Sequence, residues 1–542
     1  MSDTSAVFHK IKNHKYGPLF FTLFVFLGIS LISLFVFYNG FTINFPRINS
    51  YVNSSFLDKI LLYVPYWNFS ICLSAFLHPL FSIGFVLIIS PLLIHRKDIN
   101  SLYFDRSEKL LVFFSAALLS WELCTYNYNY YLDSAFYFDR IILLLFPFLL
   151  WKRPYLSPVY VAMALVYRSQ FNYPLEGFEL FDKRLLFDVL IMFTSVSYIK
   201  LFFKDIAPNF LHMVLCIVAS NYFVSGISKI AMSPHGYEWL TQNHLSDFFL
   251  NAHQRGWMNG VSGNAIKNIY SILNNGDFLF KIITLIIEIF AFCILINRRW
   301  AIMGLSSFIV LHIGIFIAGS MLFWKWIAID LLLIWILISK EDVSDFYIKI
   351  RGKASFVILL SSFIWLRPYT IGWFDTKINQ FFTYEAEDDK GQIFALHKND
   401  FNPYHQWIQY DKFLRLLNQK TLPISGFGYT HEYKIQNQLS QLNPDSVLHY
   451  IEKTGINNYD VQWKTKYEAF MKSFFHNRNV RGEQLSYLKY IRAPHHLYNH
   501  DLGEGLSESQ NIIRIRVYLN LTHNLNGTSR LLIKKPVIEI NI

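Results

Sequence analysis

Three ionisable side chains interrupt long apolar runs in this sequence, and all three are of types that transfer protons. Lys229 ends the run that begins at Asn221, Glu288 lies within Ile286-Ile-Glu-Ile-Phe290, and His312 follows Leu311 in a run that continues with Ile-Gly. Ionisable groups are costly in apolar surroundings, so each is a candidate for function. Desolvation disfavours an ammonium and can make lysine a usable base. The structural alternatives are a lysine that extends its amine to water and a histidine that only packs.

The elements that must position these residues are apolar segments long enough to cross a lipid bilayer. The chain has 542 residues, of which 53% are hydrophobic and 16% charged, whereas a soluble domain carries about 25% charged residues. Long apolar runs fill residues 1–367, and residues 368–542 have the composition of a soluble domain. We therefore predict an α-helical polytopic membrane protein, with a transmembrane domain over 1–367 and a mixed α/β, β-rich extramembrane domain over 368–542.

Hydropathy predicts about eleven transmembrane helices, within a range of about nine to eleven, because the two short segments beside Pro154 are ambiguous. The predicted spans lie near residues 18–38, 70–94, 109–126, 138–152, 155–168, 184–203, 209–231, 278–296, 300–320, 322–339 and 354–367. With eleven spans, the loops rich in Lys and Arg all fall on one side, which the positive-inside rule assigns to the cytoplasm. This pattern predicts a multi-pass protein with a cytoplasmic N-terminus and a periplasmic or luminal C-terminal domain.

The segments outside the predicted spans have their own signals. The long outer loop over 232–276 contains Trp239, and long loops in compact proteins often carry function. In the tail, the segment that ends at Asp389-Lys-Gly391 predicts a β-hairpin, and Asn526-Gly527 predicts a second one. Residues 404–418 and 460–475 have helical spacing.

Several kinds of site are not predicted. All four cysteines fall within apolar segments, which makes a disulfide framework improbable, and no two of them have metal-ligand spacing. The net charge of +11 fits cytoplasmic loops better than a nucleic-acid surface, because no basic stripe with interleaved aromatic residues is present. We expect neither a metal site nor a nucleic-acid partner. Trp324-Lys-Trp326 is interpreted as an aromatic belt whose lysine reaches water, and Glu122 as a residue at the end of a span.

Taken in order, these residues resemble the vitamin K-dependent γ-carboxylase family and its bacterial relatives with the HTTM domain. Tyr222-Phe-Val-Ser-Gly-Ile-Ser-Lys229 is similar to the segment that carries the family's catalytic lysine, and Tyr237-Glu-Trp239 fits its continuation. Glu288 takes the place of an acidic residue in a similar span, and His312 resembles the histidine of the next one. The segment from Tyr384 to Phe394 resembles the start of the family's extramembrane domain. The order and spacing agree from about residue 209 to residue 420.

One family histidine, expected ahead of the lysine span, has no counterpart, because no histidine lies between His95 and His212. The resemblance aligns Asn129 near that position. It implies Lys229, His312 and Glu288 as catalytic residues, and Tyr222, Trp239 and Asn129 as substrate-binding residues.

The resemblance also implies the chemistry of the family. Lys229 would deprotonate a reduced, vitamin K-like quinone at the membrane, and oxygen would convert that quinone into a base strong enough to carboxylate a peptide glutamate. Such a base needs a pocket that excludes water. The long loop and the tail would bind a peptide or protein substrate on the extracytoplasmic side.

Two other functions stay open from the sequence. The first is a non-catalytic membrane receptor or maturation partner that acts through its C-terminal domain. The second is a proton-coupled transporter that uses Glu288, although transporters usually show paired or repeated halves that this sequence lacks.

Overall fold

A computed structural model describes most of the chain. The described residues are 17–33, 76, 79–99, 102–125, 137–169, 181–202, 208–339, 352–401, 411–481, 491–494, 496–498, 506 and 511–542. Asn129 lies outside them, and so do residues 404–410 of the predicted helix over 404–418. The described end of that segment forms a 3₁₀ turn at Asp411–Leu416 instead of an α-helix.

Helices fill the first two thirds of the described chain, because these segments are apolar and few glycines or prolines interrupt them. In chain order they are α1 Gly17–Ile32, α2 Pro79–Ile94, α3 Arg106–Thr125, α4 Tyr137–Lys152, α5 Ser157–Ser169, α6 Phe181–Phe202, α7 Phe210–Ala231, α8 Glu238–Gln242, α9 Leu245–Gln254, α10 Gly263–Asn275, α11 Asp277–Ile289, α12 Arg298–Gly319, α13 Trp324–Ser339, α14 Gly352–Leu360 and α15 Ser362–Trp365.

A helix lies at each of the eleven predicted spans, so the prediction of a helical N-terminal part is confirmed. Among the described residues, four helical segments are long and apolar enough to cross a membrane: Arg184–Phe202, Phe210–Ala231, Asp277–Leu295 and Arg298–Gly319. The third consists of α11 and a 3₁₀ helix, Phe290–Leu295, that continues it. Helices α1 and α2 are apolar but shorter.

The predicted C-terminal β-sheet is present. Its strands are β1 Phe374–Asp375, β2 Ile378–Asp388, β3 Ile393–Leu396, β4 Tyr429–Thr430, β5 Ile512–Leu525 and β6 Thr528–Asn541, and its helices are α16 Tyr433–Ser440, α17 Val447–Thr454 and α18 Val461–Arg481. Four strands pair antiparallel in the order β3-β2-β5-β6, and β1 pairs with β4. Both predicted turns occur, with positive φ at Gly391, Asn526 and Gly527, as tight hairpin turns require.

The interpretation of Lys325 was wrong, whereas Glu122 does lie near the end of its helix, α3. The Lys325 side chain is fully buried, and its Nζ lies 2.9 Å from Glu122, so it does not reach water. An ammonium in apolar surroundings is tolerated when a carboxylate compensates its charge, and α13 packs against α3 at this point. The pair therefore joins two helices inside the bundle.

Candidate active site

The predicted site residues converge on one cavity of about 140 Å³. Helix α7 supplies Tyr222 and Lys229, and α11 supplies Glu288. His312 comes from α12, and Trp239 from the short helix α8. Residues from α9, α13 and the segment that leads into the sheet complete the lining. Five of the six residues predicted to act in catalysis or substrate binding thus share one cavity, although they lie far apart in sequence.

The most distinctive contact in the cavity is a buried ion pair between Lys229 and Glu288. Lys229 Nζ donates to both carboxylate oxygens, at 2.6 and 2.7 Å, and both side chains are about nine-tenths buried. The ammonium also lies 5.5 Å from the ring centroid of Trp239, in a cation–π contact. Lys229 therefore does not extend its amine to water, and the structural alternative that the sequence left open for this lysine does not hold.

A glycine brings the two helices of this ion pair together. A Cβ added at Gly226 of α7 would lie 3.0 Å from Glu288 Cβ and 3.2 Å from the backbone nitrogen of Ile289 on α11. A side chain at this position would require Glu288 or the α11 backbone to move by a few tenths of an ångström. The spacing of three residues between Gly226 and Lys229 then puts both on the face of α7 that meets Glu288.

A second polar group in the cavity is a chain of three buried side chains. The Tyr222 hydroxyl lies 2.5 Å from Nε2 of His312 and 3.4 Å from a carboxylate oxygen of Asp330. Asp330 belongs to α13 and is fully buried. Among the described residues, His312 Nδ1 and the second oxygen of Asp330 have no hydrogen-bond partner. This chain therefore keeps hydrogen-bonding capacity for a proton or a ligand atom.

Aromatic rings form much of the cavity wall between these polar groups. Tyr222 stacks on Phe308 with ring centroids 3.7 Å apart, and Trp326 meets the Tyr222 ring edge-on. Phe323 stacks on His312 at 4.7 Å. Such walls give flat apolar surfaces and exclude water, which strengthens the electrostatic interactions within.

The segment that joins the helices to the sheet closes one side of the cavity. The Tyr369 backbone nitrogen donates to Asn221 Oδ1 at 3.2 Å, and Trp239 Nε1 donates to the Trp373 carbonyl at 2.9 Å. The Asp375 backbone nitrogen donates to Asn243 Oδ1 at 2.6 Å. Residues 369–375 therefore lie against both α7 and the long loop.

A buried charged cluster lies behind this segment, outside the candidate spans. Burial raises the pKa of Asp375 well above its usual range, with nearby Asp247 adding to the rise. Burial also lowers the pKa of Arg255 to about 9, although Asp375 opposes that change. The Arg255 guanidinium donates to the Phe427 carbonyl at 2.7 Å, which ties the long loop to the tail.

The last part of the tail contacts the cavity wall. Leu322, between α12 and α13, donates its backbone N–H to the carbonyl of His496 at 2.7 Å, and Met321 pairs with Leu497 in an antiparallel bridge. The His496 ring meets Phe323 edge-on at 4.8 Å, on the ring that stacks on His312. The tail thus helps to position His312.

Sequence reasoning missed several residues of the site. Asp330, which contacts the lining residue Tyr222 from behind, carries the same signal as Glu288, an acid within an apolar run. Asn243, Tyr369, Trp373 and Asp375 come from loops and a strand, where no periodicity marks them. Among the described residues, no group of three or more His, Cys, Asp or Glu is arranged to hold a metal ion.

Comparison of the chain with models of protein families, with curated proteins and with solved structures finds no match.

Proposed function

We propose that this chain is a multi-pass membrane enzyme that transfers protons to and from an apolar, ring-containing substrate in the cavity around Lys229. The observation that carries the proposal is the buried Lys229–Glu288 ion pair at the wall of a largely apolar, aromatic cavity. We further propose that the substrate is a reduced, vitamin K-like quinone and that the reaction is of the γ-carboxylase type, as the resemblance implies. In this proposal the N-terminus is cytoplasmic, and the tail is periplasmic or luminal.

Membrane integration is supported by the outer surfaces of two helices. Phe278 and Ile286 on α11 and Val310 on α12 expose more than half of their side-chain surface. Exposed apolar faces on helices of spanning length suit lipid better than water. The Lys- and Arg-rich loops supply the expected orientation.

The ion pair explains how a buried lysine can act as a base. Moving one proton from the Lys229 ammonium to the Glu288 carboxylate converts an ion pair into a neutral amine and a neutral acid. The two states have the same net charge, so the shift places no uncompensated charge in the apolar cavity. The neutral amine then has a lone pair that can accept the proton of a substrate hydroxyl.

Tyr222, His312 and Asp330 form the second proton-handling group. Tyr222 and Lys229 are seven residues apart on α7, which corresponds to about 10 Å of helix rise. A flat ring with oxygens at opposite edges therefore suits the cavity, with one oxygen near Lys229 and the other near the Tyr222–His312 pair. The Tyr222 hydroxyl can donate to a substrate oxygen and recover a proton from His312 Nε2, provided that His312 Nδ1 accepts a proton in the same step, so that the imidazole stays neutral.

The residues present fit a reduced quinone. The aromatic walls match its ring, and the two polar groups match its oxygens. Such a quinone supplies, on reaction with oxygen, the strong base that the family uses to carboxylate glutamate. The first residues of the tail, 369–375, line the cavity together with Trp239 of the long loop, so we propose that a peptide reaches Lys229 where the tail and the long loop meet.

The test compares two buried lysines of the same chemistry. Lys229→Met and Lys325→Met each leave one buried glutamate without its ammonium, but only Lys229 lines the cavity. The purified full chain in lipid nanodiscs is given a reduced naphthoquinone, oxygen, labelled bicarbonate and a glutamate-containing peptide. Oxygen uptake, quinone epoxide and peptide label are measured. We expect Lys229→Met to lose about 10²- to 10⁴-fold in rate, the usual contribution of a general base.

The Lys325→Met molecules that remain folded should, in contrast, keep most of the wild-type rate. Lys229→Arg retains a cation that does not give up its proton, so it should restore folding without activity. Full activity in Lys229→Met would disprove the proposal. If the wild-type chain takes up no oxygen, the proposal of a quinone substrate is excluded. Binding of a protein partner that only variants in the tail disturb would then favour the receptor function. Flux of a solute into proteoliposomes that is coupled to protons, and that Glu288→Gln uncouples or abolishes, would instead favour the transporter.

A further inference from the structure

A second cavity lies between α1, α5, α6 and the turn that follows α15, away from Lys229. Its volume is about 50 Å³, several times the 10–15 Å³ that one water needs. Three arginines, two serines and an aspartate supply its polar lining: Arg168, Arg184, Arg367, Ser30, Ser33 and Asp188. Apolar residues complete the wall. It is thus a polar cavity within an apolar helix bundle.

Three hydrogen-bond donors in this cavity have no partner among the described residues. They are the hydroxyls of Ser30 and Ser33 and Nη1 of Arg367. Ser33 is 2% exposed and Ser30 8% exposed, so bulk water does not satisfy them. A buried donor without an acceptor is destabilising, and such groups normally have a partner in the folded protein. Three of them around one space indicate a bound molecule that has several acceptor atoms.

The charges around these donors select an anion. Asp188 is the one acid among the described lining residues, and Arg184 Nε lies 3.4 Å from it. Arginine donors form charge-assisted hydrogen bonds with oxyanions, often two at a time. Arg367 has a φ of +47°, which a side-chain-bearing residue adopts at a cost, and this conformation sets the turn that places it at the cavity.

We propose that this cavity binds a phosphate group. A tetrahedral oxyanion has enough acceptor oxygens for the two serine hydroxyls and the Arg367 guanidinium at once, and its charge balances the arginines. The group is either free inorganic phosphate or the headgroup of a phospholipid. On the proposed orientation, Arg168, Arg184 and Arg367 all lie at the outer ends of their spans, where the positive-inside rule does not favour cations. Their presence there therefore needs a reason such as an anionic ligand.

The phosphate site adjoins the active-site cavity through one ring. The Arg184 guanidinium lies 4.6 Å from the ring centroid of Tyr369, and Tyr369 lines the cavity around Lys229. Arg184 also donates to the Arg367 carbonyl. Occupancy of the phosphate site should thus hold residues 367–369 in place. The inference does not depend on the reaction at Lys229.

The test uses the purified full chain with two variants and a control. Ser30→Ala/Ser33→Ala removes both orphan hydroxyls without changing charge, and Arg367→Gln removes one guanidinium. Arg298→Gln removes an arginine that lies elsewhere and donates to the Ile338 carbonyl. The melting temperature is measured as inorganic phosphate is added at constant ionic strength, with chloride as the reference anion. Native mass spectrometry of the delipidated protein then records retained phospholipid.

A free-phosphate site would be established by two results. Phosphate should stabilise the wild type and Arg298→Gln equally, and in both other variants the phosphate concentration needed for the same stabilisation should rise about tenfold or more. Absence of a phosphate effect, together with a phospholipid that the wild type retains and the serine variant loses, would establish a headgroup site. The proposal is overturned if the wild type shows neither effect, or if the serine variant binds phosphate and lipid as well as the wild type does. The serine variant keeps the test valid if Arg367→Gln does not fold.

Discussion

At the scale of single residues, the same chemical pair has different consequences in different surroundings. Lys325–Glu122 and Lys229–Glu288 are both buried lysine–glutamate pairs with nitrogen–oxygen distances below 3 Å. Of the two pairs, the second lines the candidate active-site cavity and the first does not. A proton that moves within the first pair meets no substrate, whereas a proton that moves within the second leaves an amine facing space for one. Position relative to a cavity therefore distinguishes a candidate base from a structural ion pair.

The long loop contains a residue whose titration should be visible in stability. Burial raises the pKa of Asp247 to about 6, against the attraction of His244, Lys377 and His523 and a hydrogen bond from Asn524. The pKa of aspartate in an unfolded chain is about 3.9. Because the folded state holds the proton more tightly, stability falls as pH rises from about 4 to about 6 and is then constant. The loss amounts to about 3 kcal/mol.

Asp247→Asn should remove this part of the pH dependence and raise the melting temperature at pH 7. The measurement is thermal unfolding of the full chain between pH 4 and pH 8. Asp445→Asn, which changes an exposed aspartate in the tail, is the control and should leave the profile unaltered. An Asp247→Asn profile that still falls between pH 4 and pH 6 by the wild-type amount would contradict the prediction.

Residue types predicted much of the candidate site, because an ionisable group within an apolar run is conspicuous in any sequence. Lys229, Glu288 and His312 were found in this way, and Asp330 has the same signal. Asn243 and Asp375 have ordinary polar surroundings in sequence. Their burial depends on the packing of the sheet against the loop, which a single sequence does not reveal.

At the scale of elements, the contact between α7 and α11 determines the geometry of the ion pair. Gly226 allows the two backbones to approach, as described above. Gly226→Ala should separate the helices, lengthen the Lys229–Glu288 contact and cost about 1–3 kcal/mol of stability, the usual range for overpacking. Thermal unfolding and the oxygen-uptake assay would measure both effects.

A matched control for this variant lies on α12. A Cβ added at Gly314 would meet nothing within 4 Å. Gly314→Ala should therefore gain about 0.5–1 kcal/mol from helix propensity alone. Equal effects of the two variants would show that the close approach at Gly226 does not matter.

The sequence predicted the elements better than their irregularities. Asn526-Gly527 predicted the β5–β6 turn because few residue pairs accept two positive φ angles in succession. The 3₁₀ helix that begins at Phe290, directly after α11, was not predicted. Its residues have ordinary helix propensity, and packing against α7 and α12 accompanies the change.

At the scale of the whole molecule, the proposed orientation has a direct test. Two sequons, Asn520-Leu-Thr522 and Asn526-Gly-Thr528, lie in the tail. When the chain is expressed in the secretory pathway of a eukaryotic cell, a luminal tail should acquire a glycan, which electrophoresis after deglycosylation detects. Asn520→Gln/Asn526→Gln is the control without acceptor sites in the tail. Two further sequons, Asn53-Ser-Ser55 and Asn68-Phe-Ser70, precede the second predicted span, so only a glycan that this control loses belongs to the tail. A wild-type tail that carries no glycan, and that protease added to intact microsomes cleaves, would reverse the orientation.

The bridge between Met321 and Leu497 also bears on the order in which the protein is made. Translation completes α7, α11 and α12, which carry Lys229, Glu288 and His312, well before residues 496–498 leave the ribosome. Those last residues support Phe323, the ring that stacks on His312. A nascent chain therefore has its proton-handling groups early but their final support late. On the function and orientation proposed above, the reaction would then begin only in molecules whose tail has been synthesised, moved across the membrane and folded back onto the bundle.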